Sequence, residues 1–144
     1  MNSSPTIMLV DDSPDDVALT LRAFKKNNIT NKVVVAADGE EALRYLLPDD
    51  DSSNPVPDLV LLDINLPKVN GLEVLRRLRQ DDRTRYLPVV VLTTSNEERD
   101  IVETYDLGAN SFVRKPVVFG DFLEAVRVLG MYWLLVNQPA KGTG

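Results

Sequence analysis

An α/β fold built on a five-stranded parallel sheet is what this 144-residue sequence predicts. Short apolar or β-branched runs alternate with longer amphipathic stretches five times, the order produced by successive βα units. The runs are apolar almost throughout, so both faces of the sheet must be covered. The length allows one domain with a sizeable core and is short for two.

The first strand is expected at Thr6 to Val10 and the first helix at Pro14 to Asn27. Ser13 can cap the free N–H groups of that helix, Pro14 suits its first turn, and Asp16 adds negative charge where the helix dipole favours it. Lys32 to Ala36 follows as the second strand and Gly39 to Leu46 as the second helix. Pro48 to Pro57, holding Asp49, Asp50, Asp51, Ser52, Ser53 and Asn54, has turn formers and charge without apolar periodicity, so it reads as a surface loop. Such an acidic run could bind calcium, but it lacks the Gly and distal Glu of an EF-hand loop.

The third strand is placed at Asp58 to Leu62 and the third helix at Gly71 to Gln80, with Asn70 as its cap. Leu72, Leu75 and Leu78 make the inward stripe, and Arg76, Arg77 and Arg79 point to water. Pro88 to Leu92 and Glu97 to Leu107 are the fourth strand and helix, and Ser111 to Arg114 is the fifth strand. The fifth helix is drawn from Phe119 to Val136, with Phe122, Val126, Leu129 and Trp133 as its core face. Val128, Met131 and Leu135 form a second apolar stripe, with Tyr132 and Leu134 between. A helix apolar nearly all round is normally buried on all sides. Val128, Met131, Tyr132 and Leu135 are therefore expected to meet another protein, most simply an identical chain across a two-fold axis. The domain spans 6–136, between tails at 1–5 and 137–144.

Composition narrows the chemistry. With 16 Lys and Arg against 22 Asp and Glu, the net charge of -6 offers no basic surface to a nucleic-acid backbone. No Cys is present, so there is no disulfide scaffold, thiolate nucleophile or zinc cluster. No His is present either, which removes the commonest general base and transition-metal ligand. Covalent chemistry must use a carboxylate or a hydroxyl. No charged start precedes an apolar signal segment, no apolar run approaches the roughly 18 residues that span a bilayer, and no basic face suits membrane attachment. The default compartment is the cytoplasm.

Polar residues close four of the apolar runs: Asp11 and Asp12 after Val10, Asp63 after Leu62, Thr93 after Leu92 and Lys115 after Arg114. In an open parallel sheet these ends share one edge, where ligands bind at the point at which the winding reverses. Three carboxylates there repel, each pair by about 4 kcal/mol at 4 Å and an effective dielectric near 20. A divalent cation and the Lys115 ammonium would bring Asp11, Asp12 and Asp63 to formal neutrality, and hard oxygen donors favour Mg²⁺. An Asp63 oxygen could then attack a phosphoryl group in line, with Lys115 and the Thr93 hydroxyl on its oxygens. Any one of these residues alone would be a turn former, a cap or a surface charge, as Asp15 and Asp16 are expected to be. Joint placement is what raises the reading above that.

The residues Val10-Asp11-Asp12, Leu62-Asp63-Ile64-Asn65-Leu66-Pro67, Asn70-Gly71, Thr93, Gly108-Ala109 and Lys115-Pro116 resemble the signature of response-regulator receiver domains of two-component signalling. The resemblance runs from about Thr6 to Val136. It implies a flavodoxin-like (βα)5 three-layer sandwich of strand order 2-1-3-4-5, with Asp63 as phosphoacceptor. It makes Asp12 a direct Mg²⁺ ligand, Asp11 a ligand through water and Asn65 a ligand through its carbonyl. It also makes Thr93 and Phe112 the switch pair and the Lys115-Pro116 bond cis, and it names a sensor histidine kinase as partner. Thr94 departs from the smaller residue common after the switch Thr, which bears on phosphate access. Leu92-Thr93-Thr94-Ser95, Tyr105 to Asn110, the long loop before strand three and Tyr132-Trp133-Leu134 are similar to single-domain regulators paired with phytochrome-type kinases. Two other functions fit the same fold: an Asp-nucleophile phosphohydrolase, whose Asp-x-Asp-x-Thr motif is absent after strand one, and a phosphorylation-independent scaffold.

Overall fold

The computed structural model describes residues 5–49, 54–105 and 111–136. Strands β1 (Thr6–Val10), β2 (Lys32–Ala36), β3 (Leu59–Asp63), β4 (Val89–Thr93) and β5 (Ser111–Arg114) alternate with helices α1 (Pro14–Lys26), α2 (Gly39–Leu46), α3 (Gly71–Gln80), α4 (Asn96–Tyr105) and α5 (Phe119–Val128). A short helix, α6 (Trp133–Val136), follows. The five strands pair in parallel in the order β2-β1-β3-β4-β5. Residues 1–4 of the expected 1–5 tail, the tail at 137–144, the Asp50 to Ser53 part of the loop, and 106–110, with the expected helix end at Leu107 and the Gly108-Ala109 motif, lie outside the described residues.

Strand side chains alternate between two cores. Ile7, Leu9, Leu59, Leu61, Val90 and Leu92 join Phe24 of α1 and Phe122, Ala125 and Val126 of α5. Met8, Val10, Val60, Leu62 and Val91 turn the other way, onto Ala42, Leu43 and Leu46 of α2, Val74, Leu75 and Leu78 of α3 and Val102 of α4. The sheet is therefore the middle of three layers, which explains why its strands read as continuous apolar runs. The Phe24 and Phe122 rings, 4.7 Å apart between centroids, join the two helices of one layer. Truncating a buried ring of this kind costs about 3–5 kcal/mol.

Local chemistry sets the helix starts. The Ser13, Asp38 and Asn70 side chains each accept a backbone N–H in the first turn of α1, α2 and α3. The third and fourth strands end one residue later than their apolar runs suggest, so Asp63 and Thr93 are the last residues of β3 and β4. Arg79 does not point to water. It is half-buried and donates to the carbonyls of Thr84, Arg85 and Leu87 at 3.2, 3.2 and 2.8 Å, which ties down the connection from α3 to β4.

The fifth helix is shorter than its apolar periodicity indicates. It stops at Val128 because Gly130 adopts a φ of 72°, a left-handed conformation that ends helices. The Gly130 N–H donates to the Arg127 carbonyl at 3.0 Å and the Met131 N–H to the Val126 carbonyl at 2.7 Å, the paired bonds of a Schellman cap. The chain then folds back, so Met131, Leu134 and Leu135 are buried in the core while Trp133 is 50% exposed. Of the expected interface residues only Val128, 64% exposed, and Tyr132, 53% exposed, face outward. Among the described residues no helix is long and apolar enough to cross a membrane.

Candidate functional site

Register builds the site. Val10 pairs with Ala36 and with Leu62, so Asp11 leaves β1 beside Asp63 at the end of β3. Asp63 pairs with Leu92 and Thr93 with Arg114, which sets Thr93 and Lys115 on the next two strand ends. The Lys115 N–H donates to the Thr93 carbonyl at 2.8 Å, and the Lys115-Pro116 bond is cis. Asp11, Asp12 and Asp63 each offer a carboxylate oxygen within 4.8 Å of the others. Asp11 and Asp63 are buried and Asp12 is exposed.

Lys115 Nζ sits among three carboxylates: Asp63 Oδ2 at 2.8 Å, Asp16 Oδ2 at 2.9 Å and Asp11 Oδ2 at 3.1 Å. Burial favours its neutral amine, but hydrogen bonds to Asp63 and Asp16 hold its pKa above the ordinary lysine value. Burial raises the Asp63 pKa above the usual carboxylate value, and the bonds from Lys115 and from the Asn65 N–H, at 2.9 Å to Oδ1, offset this only in part. The Asp11 charge adds to the rise.

The donor set fits a hard divalent cation. Asp11 Oδ2 is buried, and the cation beside it is the Lys115 ammonium at 3.1 Å, a single positive charge it shares with Asp63 and Asp16, so the carboxylates outnumber the positive charge at the site. Asp11 Oδ1 accepts from the Ser13 N–H at 3.0 Å, which holds the carboxylate in place. With carboxylate oxygens alone in the cluster, the set suits Mg²⁺ or Mn²⁺ better than softer ions.

Gly71 supports Asp63 from behind. Its N–H donates to the Ile64 carbonyl at 3.0 Å, and a Cβ at this position would come 2.5 Å from the Asp63 carbonyl oxygen. Only glycine lets α3 start so close to the strand end.

Three participants escaped the sequence reading. Asp16 is a helix-start charge, as expected, but it is also an ion-pair partner of Lys115, so with Asp11, Asp12 and Asp63 the site holds four carboxylates rather than three. Their spacing along helix one, five residues from Asp11, was the available signal. Glu98 of α4 accepts from the Thr94 N–H at 2.7 Å, from the Thr94 hydroxyl at 2.9 Å and from the Asn65 side-chain amide. Burial raises the Glu98 pKa, yet these bonds together bring it below the usual value. The neighbouring Arg99 guanidinium lies 4.8 Å from the centre of the half-buried Phe112 ring. Ser95-x-x-Glu98 was legible as a helix-start pattern, but nothing local announced the reach to Asn65, 33 residues away.

A family model, the response regulator receiver domain, matches residues 7–127. The chain is 39% identical over 132 residues to the probable methanogenesis regulatory protein FilR2 of Methanothrix harundinacea, covering 92% of this chain and 85% of that one. It is 36% identical over 141 residues to response regulator Rcp1 of Synechocystis sp., covering 96% of each. The Mn²⁺-bound form of Rcp1 superposes with a TM-score of 0.71 over 94% of this chain and 99% of that one. The bacteriophytochrome response regulator AtBRR is 47% identical, with a TM-score of 0.85 over 92% of this chain and 96% of that one.

Proposed function

The chain belongs to the response regulator receiver family, and from that premise we propose that it works as a single-domain regulator that takes a phosphoryl group from a sensor histidine kinase onto Asp63. The observation that supports this most is the buried Asp63 carboxylate held between Lys115 and the Asn65 N–H, beside Asp11 and Asp12. Near end-to-end similarity to Rcp1 and AtBRR favours a kinase of the phytochrome type.

In the transfer, an Asp63 oxygen attacks the phosphorus of the kinase phosphohistidine in line. The new O–P bond forms as the P–N bond breaks, and the electron pair leaves with the imidazole nitrogen. Lys115 holds one phosphoryl oxygen and the Thr93 hydroxyl donates to another. Asp11, Asp12 and Asp63, with the Asn65 carbonyl, would hold Mg²⁺, whose charge offsets the carboxylates and the phosphoryl oxygens. Drawing Thr93 toward phosphate leaves room for the Phe112 ring, and Thr94, exposed at the rim, controls access. The changed surface is made by α4, β5 and α5. Turnover of small esters is not part of this reading.

Homodimerisation is proposed through Val128 and Tyr132 with Trp133, which lie exposed around the corner between α5 and α6. The net charge of -6 supports no direct nucleic-acid contact, and a cytoplasmic site of action follows from the kinase partner.

Incubation with acetyl phosphate and Mg²⁺ tests the central step. One acid-stable, base-labile phosphoryl group is expected on Asp63 by mass spectrometry, and none in Asp63→Asn. Undiminished labelling of that variant overturns the assignment.

A further inference from the structure

Glu98 occupies three donors, the Thr94 N–H, the Thr94 hydroxyl and the Asn65 side-chain amide, on two residues that border Asp63. The Thr94 N–H follows Thr93 at the end of β4, and Asp63 pairs with Leu92 on that same strand. Asn65 already donates its backbone N–H to Asp63 Oδ1, so its side-chain amide stands on the same rim. The Glu98 carboxylate thus sits at the mouth of the site with two oxygens on three donors.

Helix capping alone does not account for this. In a Ser-x-x-Glu box the Glu returns to the N–H of the capping Ser. Ser95 Oγ does accept the Glu98 N–H, at 3.2 Å, as such a box requires. The carboxylate, however, goes to Thr94 and to Asn65, which lies outside α4 and its cap.

We propose that Glu98 is an internal stand-in for the phosphoryl group: its carboxylate fills the donors beside Asp63, restrains phosphorylation, and is expelled when Asp63 is phosphorylated, which frees the start of α4. The inference rests on Asp63 being the phosphoacceptor. A phosphoryl group brings about two negative charges and three strong acceptor oxygens to the rim, so it both competes with Glu98 and repels it. Coupling of this kind is reciprocal: whatever hold Glu98 has on the donors opposes phosphorylation by the same factor. Arg99, the next residue, lies over Phe112, so displacement of Glu98 moves the cation off that ring. One turn of α4 therefore senses both the phosphoryl rim and the switch aromatic.

The test compares the parent chain with Glu98→Gln and Glu98→Ala. Gln loses the charge and, with one carbonyl oxygen, can accept at only one of the two Glu98 oxygen positions; Ala removes both acceptors, and the Ser95 Oγ cap on the backbone N–H of residue 98 survives in both variants. Two quantities are measured: the affinity for beryllofluoride in Mg²⁺, read by amide exchange in α4, and the initial rate of Asp63 labelling by acetyl phosphate. Glu98→Gln is expected to raise both by about fivefold, the order set by exchanging charge-assisted for neutral hydrogen bonds, and Glu98→Ala by at least as much. Values for Glu98→Gln within twofold of the parent, or below it, overturn the inference, and so does an increase confined to Glu98→Ala, which assigns the effect to side-chain bulk rather than to the charge on the donors. If none of the three chains binds or labels, the phosphoacceptor reading itself fails and takes the inference with it.

Discussion

Lys115 and Asp16 form an ion pair at 2.9 Å that joins the end of β5 to the first turn of α1. The same ammonium is 2.8 Å from Asp63, so its position is shared between a partner on the rim and one at the centre of the site. Replacing Asp16 by Asn leaves Lys115 with Asp63 and Asp11. Labelling of Asp63 by acetyl phosphate should therefore persist within about fivefold of the parent, since a partly exposed pair is worth about 1 kcal/mol or less. Loss of labelling would make Asp16 part of the metal site rather than a support for the lysine.

Removing the cation has a larger effect. Lys115→Ala leaves buried carboxylates without their partner, which destabilises by about 3 kcal/mol or more. Adding Asp63→Asn removes one of the stranded charges, so the double variant should recover part of the loss in urea denaturation. In Mg²⁺, Lys115→Ala should still bind the metal but show no phosphorylation-dependent exchange change in α4 and β5. A parent-like change would displace Lys115 from the switch.

The raised Asp63 pKa fixes a pH dependence in metal-free protein. Below the usual carboxylate value of 3.8 both native and unfolded states carry the proton. Above it the unfolded chain loses that proton first, so ionisation of Asp63 subtracts from stability until pH passes its raised native pKa. With chelator present, Asp63→Asn should gain on the parent as pH rises above about 4 and hold a constant lead once pH has passed the raised native pKa. A lead that shrinks over this range would mean that Lys115 more than offsets the cost of burial.

Gly130 carries the turn that returns the chain to the core. Gly130→Ala should cost about 1–2 kcal/mol in urea denaturation, because an L side chain resists the left-handed conformation. A neutral substitution would show that the Schellman cap tolerates a shifted backbone.

The proposed dimer can be separated from the fold by choosing the right positions. Val128→Asp with Tyr132→Asp alters exposed side chains and should give a folded monomer, whereas Met131→Asp strikes the core and should unfold the chain. Sedimentation showing a monomeric parent, with and without phosphorylation, would dismiss the interface.

What the sequence discloses and what it hides follow from range. Apolar runs and caps are local, so all five strands, the starts of α1, α2 and α3, and the cluster of Asp11, Asp12, Asp63, Thr93 and Lys115 are legible in it. The end of α5 was also local, since Gly130 follows a periodic stretch, but apolar residues beyond it continue the helical period and mask the break. Met131 and Leu135 were consequently set on an outward stripe. Arg79 and Glu98 are a different case: each is a charged residue on an amphipathic helix, and only the folded chain brings the Leu87 carbonyl or the Asn65 amide within reach.

Gly71 has a consequence for mutational tolerance. It offers no group to a ligand, yet any added side chain would collide with the Asp63 carbonyl. In a library that diversifies every position, Gly71 and Asp63 should both be intolerant, for opposite reasons. Variants of Asp63 such as Asn will accumulate as soluble, silent protein, while variants of Gly71 will be lost from the soluble fraction. Scored by activity alone, the two positions look the same; scored for abundance as well, the one that carries chemistry separates from the one that only leaves room for it.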